Sequence, residues 1–304
     1  MQTQLTLFER TKQTFQMPDG RMLGYAEYGD PRGKPLFYFH GWPSSRIEFG
    51  GLNGEKIAQR LNLRVIAVDR PGFGLSSYQP GHRFVDWPQD VSHLADHLGL
   101  GRFVVMSYSA GSPYALACAS ALADRLAAVG VISGVAQPFS APGATKGMPT
   151  IMLWTTARIH PRLTWLLFNL MKNTLANAAR DQLPANAKQA MMAEADFAFI
   201  QAHPGVNAVN LDSGVEAMRQ GGLGPAEAAA LYWKPWGFRL EDIRAKVYTW
   251  HGEEDLNAPF AAHGNVLAQK LRNVESKFFP GEGHISLIHK QLESILNTLS
   301  LEIN

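Results

Sequence analysis

A single cysteine, Cys118, leaves this chain unable to form an internal disulfide, so no covalent staple holds it and a reducing compartment suits it. Charged residues are scarce at 18%, below the usual share of about a quarter. Hydrophobic residues nevertheless reach 46%, which excludes a disordered polyelectrolyte. The 28 basic and 26 acidic side chains nearly balance and form no basic cluster, so no nucleic-acid partner is expected. Long apolar runs are missing as well. The greasiest stretch, residues 151–171, is broken by Arg158, His160, Pro161 and Arg162, short of the roughly 20 apolar residues of a membrane span. Residues 1–15 carry Glu9, Arg10 and Lys12 and have no apolar core of signal-peptide length, so a cytoplasmic location is expected.

What is present alternates. Short apolar runs at residues 22–28, 35–40, 63–69, 102–108 and 127–133 interleave with helical patterns at 55–61, 87–98 and 110–123, the signature of a mostly parallel sheet covered by helices. Asp19-Gly20 marks a hairpin before the first of these runs. Asp86 is placed to cap the helix at 87–98, which Gly99 stops. After Gly134 the rhythm breaks. Residues 137–240 show helical patterns only, with six of ten Met (Met148, Met152, Met171, Met191, Met192, Met218) and four of seven Trp (Trp154, Trp165, Trp233, Trp236). Strand and helix then resume with strands at 246–250 and 276–279, a helix at 260–271 and a last one from Ile285. A length of 304 residues allows roughly two domains in series or one interrupted domain.

The most informative run is Ser107-Tyr108-Ser109-Ala110-Gly111, where a β-branched strand gives way at once to a helix. A serine on such an elbow is forced into an unusual backbone conformation that exposes its hydroxyl. The turn needs small residues two before and two after the nucleophile. Ser107 and Gly111 satisfy that around Ser109, whereas Val105 would stand there for Ser107. Ser109 is the candidate nucleophile, and Tyr108 beside it the candidate substrate-binding residue.

This elbow resembles the Gly-x-Ser-x-Gly motif of the α/β-hydrolase superfamily, with Ser107 in place of the first glycine. His40-Gly41-Trp42-Pro43 resembles the superfamily's His-Gly-x loop, which supplies one oxyanion-hole N–H; the residue after the nucleophile supplies the other. Proline has no N–H, so the resemblance implies Trp42 and Ala110 as donors, with Ala110 opening a helix whose dipole favours negative charge. Asp69-Arg70-Pro71-Gly72-Phe73-Gly74-Leu75-Ser76 matches a superfamily turn read as structural, since the third glycine of a dinucleotide fingerprint is replaced by Ser77. Gly252-Glu253-Glu254-Asp255 and Gly283-His284 resemble the acid and base loops, which implies a triad of Ser109, Asp255 and His284, with Glu254 as the alternative acid.

The resemblance implies an α/β fold, with an eight-stranded, mostly parallel α/β-hydrolase sheet in residues 1–136 and 241–304 and a helical cap in 137–240. It implies a serine hydrolase acting through an acyl-enzyme on an apolar small or medium-sized carboxylic ester or lactone, with no metal or organic cofactor. The same triad would serve carbon–carbon bond hydrolases, thioesterases, aminopeptidases or acyltransferases, and a ligand-binding receptor on this fold is the reading from outside enzymology. Serine at the elbow argues against relatives with aspartate there, the haloalkane dehalogenases and epoxide hydrolases. A small apolar molecule is the expected partner, and the cap helices offer a surface for a homodimer. His93 and His97 share a helix face at zinc-site spacing, but no third ligand accompanies them. His40 and His251 are expected to make structural hydrogen bonds, Cys118 to pack as a buried hydrophobe, and Glu194, Asp196, Asp212 and Glu216 to form solvated faces.

Overall fold

The computed structural model describes residues 6–179 and 192–303; Met191 of the methionine-rich segment lies outside them. The described residues contain eight strands: β1 (Gln13–Gln16), β2 (Met22–Gly29), β3 (Lys34–Phe39), β4 (Leu63–Val68), β5 (Phe103–Tyr108), β6 (Leu126–Ile132), β7 (Val247–Gly252) and β8 (Val274–Phe279). They form one sheet in the order β1-β2-β4-β3-β5-β6-β7-β8. β2 is antiparallel to both its neighbours, and β3 through β8 are parallel to one another. Gly20, at φ +87°, closes the expected hairpin between β1 and β2.

The described helices are α1 (Leu7–Arg10), α2 (Glu48–Gly51), α3 (Gly54–Arg60), α4 (Trp87–His97), α5 (Ser112–Ala121), α6 (Ile151–Ile159), α7 (Pro161–Asn177), α8 (Glu194–Ala202), α9 (Pro204–Ala217), α10 (Leu223–Leu231), α11 (Gly264–Lys270) and α12 (His284–Ser300). Central strands buried on both faces read as continuous apolar runs, and their side chains alternate between two cores. Phe37, Phe39, Val105 and Val129 pack with Val91, Leu94, Leu116 and Leu267 of α4, α5 and α11. Leu36, Tyr38, Val104 and Met106 pack with Ile57 of α3 and Leu292 and Leu296 of α12. The edge strand β8 alternates half-buried and exposed positions from Val274 to Lys277, and Glu275 and Lys277 charge it against further strand pairing.

Between β6 and β7 the described residues contain helices α6 to α10 and no strand. This insertion is tied to the sheet by polar contacts. Arg46 Nη1 reaches both Asp69 Oδ2 (2.8 Å) and Glu216 Oε1 of α9 (2.6 Å), and the Ser44 and Ser213 hydroxyls meet at 2.7 Å. Glu216 and Asp196 are therefore not solvated faces. Each answers a partner far away in the chain, whereas Glu194 and Asp212 are exposed as expected. Asp86 precedes α4 but its carboxylate bonds Arg83 rather than the helix it was expected to cap. No helix among the described residues is long and apolar enough to cross a membrane.

Candidate active site

β5 ends at Tyr108, and Ser109 follows at φ +53°, a left-handed conformation costly for a side-chain-bearing residue. Close packing sets the neighbouring residue types. A Cβ on Gly111 would meet the Phe39 carbonyl oxygen at 2.3 Å, and the small Ser107 side chain fits beside β6 with its hydroxyl donating to the Gly130 carbonyl at 3.2 Å. Residues 109–111 form a single 3-10 turn, so α5 begins at Ser112 rather than at Ala110.

The loops after β7 and β8 bring the other two candidate residues together. Asp255 is buried, and its Oδ1 accepts the N–H groups of Asn257 and Ala258, both at 2.8 Å. Its Oδ2 bonds His284 Nδ1 at 2.7 Å. That bond assigns the Nδ1–H tautomer and leaves Nε2 as the basic nitrogen. Burial opposes charge on both groups, but each outweighs it for the other. His284 is raised above its ordinary value by the Asp255 carboxylate, and Asp255 is lowered by the imidazole and its hydrogen bonds. Glu254, the alternative acid, is exposed.

Ser109 and His284 line one cavity of about 380 Å³, together with Trp42, Ala110 and Tyr108. The Tyr108 hydroxyl donates to the His284 carbonyl at 3.1 Å, and its ring packs 4.9 Å from the imidazole. From the insertion come Leu153, Trp154, Met171, Leu175 and Leu211, so part of the Met- and Trp-rich segment forms an apolar wall. Trp42 joins this wall through its side chain, its ring packing against Trp154 at 4.3 Å with the planes tilted by 39° and its Nε1 donating to the Pro225 carbonyl.

Glu48, in α2, is a cavity-lining residue that sequence reasoning missed. Its Oε2 accepts the Tyr38 hydroxyl (2.6 Å) and the Gly41 N–H (3.0 Å), and burial raises its pKa against those bonds. With Gly41 occupied and Pro43 without a donor, Trp42 N–H is the one loop donor of residues 41–43 left to face a ligand. The same peptide unit is braced from its other side. The Gly41 carbonyl accepts from Arg70 Nη2 at 2.6 Å and from His40 Nδ1 at 2.8 Å, and fixing that oxygen fixes the Trp42 N–H opposite it in the peptide plane. His40 Nε2 accepts the Arg70 N–H at 3.3 Å. The ring is thus neutral and structural, with burial and the Arg70 charge holding its pKa well below the ordinary value. Arg70 Nη1 also donates to the Ala110 carbonyl at 3.3 Å, and the Tyr232 hydroxyl donates to the same oxygen.

Asp69 shows what the glycine turn is for. Its carboxylate accepts the N–H groups of Arg46 and Leu75, and a Cβ on Gly74, itself at φ +49°, would lie 2.1 Å from Asp69 Oδ2. His251 Nε2 donates to the Ala258 carbonyl at 2.7 Å. Cys118 is fully buried, which pushes its thiol pKa up. Among the described residues no group of three His, Cys, Asp or Glu side chains could hold a metal.

A left-handed serine at a strand-to-helix elbow, an acid–histidine pair and a braced backbone donor at the carboxyl ends of parallel strands define a hydrolase type of site. The family model described as alpha/beta hydrolase family matches residues 36–293, and the chain belongs to that family. It is 27% identical over 281 residues to the bifunctional esterase/perhydrolase of Acinetobacter calcoaceticus, covering 88% of this chain and 90% of that one. Among solved structures, a thermophilic esterase from Thermogutta terrifontis superposes with a TM-score of 0.68 at 21% identity, over 96% of this chain and 99% of that one. A structure from the carboxylesterases of Nitrososphaera gargenis gives 0.71 at 15% identity, over 95% and 98%. At those identities the two structures speak for the fold.

Proposed function

We propose that the protein is a serine hydrolase that cleaves small or medium-sized apolar carboxylic esters or lactones through an acyl-enzyme on Ser109. The observation that carries the reading is the shared cavity. Ser109 at the elbow and His284, with its Nδ1 bonded to Asp255, open onto one apolar space. The esterase names of the full-length relative and of the structural neighbours support it.

In this mechanism His284 Nε2 takes the Ser109 proton as Oγ attacks the carbonyl carbon. The oxyanion is held by the N–H groups of Ala110 and Trp42, each worth about 10²–10³ in rate. The imidazolium then protonates the departing alcohol. Water gives a proton to His284 and adds to the acyl carbon, and Ser109 leaves with that proton as the acid is released. The insertion acts as the cap, its Leu153, Met171 and Leu175 wall selecting apolar acyl or alkoxy groups. The lone buried thiol of Cys118 suits the cytoplasm as the location.

The test is labelling by a fluorophosphonate, with turnover of a nitrophenyl ester series in parallel. The parent chain is expected to label stoichiometrically and Ser109→Ala not at all, with turnover falling by about 10⁴-fold or more. A folded parent chain that takes no label would overturn the reading.

A further inference from the structure

Asp196 stands in the first turn of α8, yet its carboxylate serves a different helix. Oδ2 accepts the His284 N–H at 2.9 Å, and Oδ1 accepts those of Ile285 and Ser286, both at 2.8 Å. The first N–H groups of any helix lack intrahelical partners, and a side chain just before the helix ordinarily answers them. Before α12 that position is Gly283, which has no side chain to offer. A Cβ there would lie 2.5 Å from the Asp196 carboxyl atoms. The chain has placed a glycine where the insertion's carboxylate must enter, and Asp196 is only 1% exposed. The helix that it caps begins with the candidate base.

We propose that Asp196 is a positioning residue for His284: the insertion, seated on the sheet, holds the backbone from which the catalytic imidazole projects. This rests on His284 being the base. The backbone of His284 is clamped from two sides, its N–H by Asp196 and its carbonyl by the Tyr108 hydroxyl. Asp255 then sets the ring through Nδ1. Of these three holds, only Asp196 comes from the insertion, so seating the insertion and aligning the base are one structural event. Misplacing a catalytic group by about 1 Å costs on the order of 100-fold in rate.

The carboxylate has an electrostatic effect too. Asp196, Asp255 and Glu48 all favour the imidazolium form of His284. The other titratable groups nearby are Tyr108, against the His284 ring, and His251, against Asp255. Across the contact of α8 with α12, His203, His289 and Lys290 surround the Phe199 ring.

The experiment uses Asp196→Ala and Asp196→Asn in the full chain, with fluorophosphonate titration to count competent sites and a nitrophenyl ester to measure kcat, KM and the pH profile. Asp196→Ala is expected to lose about 10- to 100-fold in kcat per titrated site with KM little changed. Asp196→Asn keeps one acceptor oxygen for Ile285 and Ser286 and is expected to recover part of that loss. In both variants the acidic limb should move to lower pH, because removing the charge destabilises the imidazolium. A merely structural role would lower the melting temperature and the number of titrated sites while leaving kcat per site and the limb in place. That result, in a folded Asp196→Asn, overturns the proposal. His284→Ala separates the two ideas. Turnover lost there but intact in the Asp196 variants removes Asp196 and keeps the base; turnover intact in His284→Ala removes both.

Discussion

Helices of the sheet and helices of the insertion handle their apolar residues differently. α12 turns Leu287, Ile288, Leu292, Ile295, Leu296 and Leu299 against the sheet, a single stripe facing a single core. α6 and α7 are apolar on two sides. Trp154 and Phe168 are buried inward, while Met152 is 80% and Leu170 57% exposed on the outside. The sheet supplies the proposed chemistry, with Ser109, Asp255 and His284 fixed at strand ends. The insertion supplies a wall and, at the His284 backbone, the carboxylate of Asp196. A one-sided helix is dictated by its own core, whereas a two-sided helix is read only when its neighbours are known.

Leu296→Ala probes the one-sided core and should have the largest effect. It is expected to cost about 2–5 kcal/mol of unfolding free energy, measured by denaturant titration, with kcat per folded molecule unchanged. Met171→Ala probes the inner wall. It should shift selectivity toward longer acyl chains by about 10-fold or more in a graded nitrophenyl ester series; an unaltered chain-length preference would mean that substrate never reaches the insertion. A third measurement probes the junction of the two regions. The proposed base must be neutral to act, and the carboxylates around His284 raise its pKa against its burial. The acidic limb of kcat/KM should therefore have its midpoint above about 6.5, the ordinary histidine value. A midpoint well below that value would separate His284 from the rate. Leu170→Gln probes the outer face and should be the smallest change, within about 0.5 kcal/mol in stability and silent in turnover.

Much of the sheet was legible because each strand carries its own signal. β3 to β6 lie within a residue or two of the runs at 35–40, 63–69, 102–108 and 127–133. Ser109, Asp255 and His284 follow short local motifs, and the fold brings Asp255 and His284 into contact and Ser109 into the cavity that His284 lines. Asp196, Glu216, Glu48 and Arg70 were not legible in the same way. Asp196 lies 88 residues from the His284 N–H that it accepts, and Glu216 lies 170 from Arg46. A carboxylate in the first turn of an amphipathic helix has the same local pattern whether water or a backbone N–H answers it. Asp86 differs for a local reason: Arg83, three residues before it, took the carboxylate expected to cap α4.

The scarcity of cysteine and of charge says only that a large apolar core must hold this chain together. Local pattern then determines the strands and the elbow at Ser109, because strand periodicity and turn stereochemistry act over a few residues, while the candidate acid and base were read from the resemblance of their loops. Tertiary structure alone decided which acid reaches which distant donor, which face of the inserted helices borders the cavity, and that Arg70 braces the Trp42 peptide. Those contacts join residues far apart in the chain, and their energies depend on a burial that no local stretch of sequence contains.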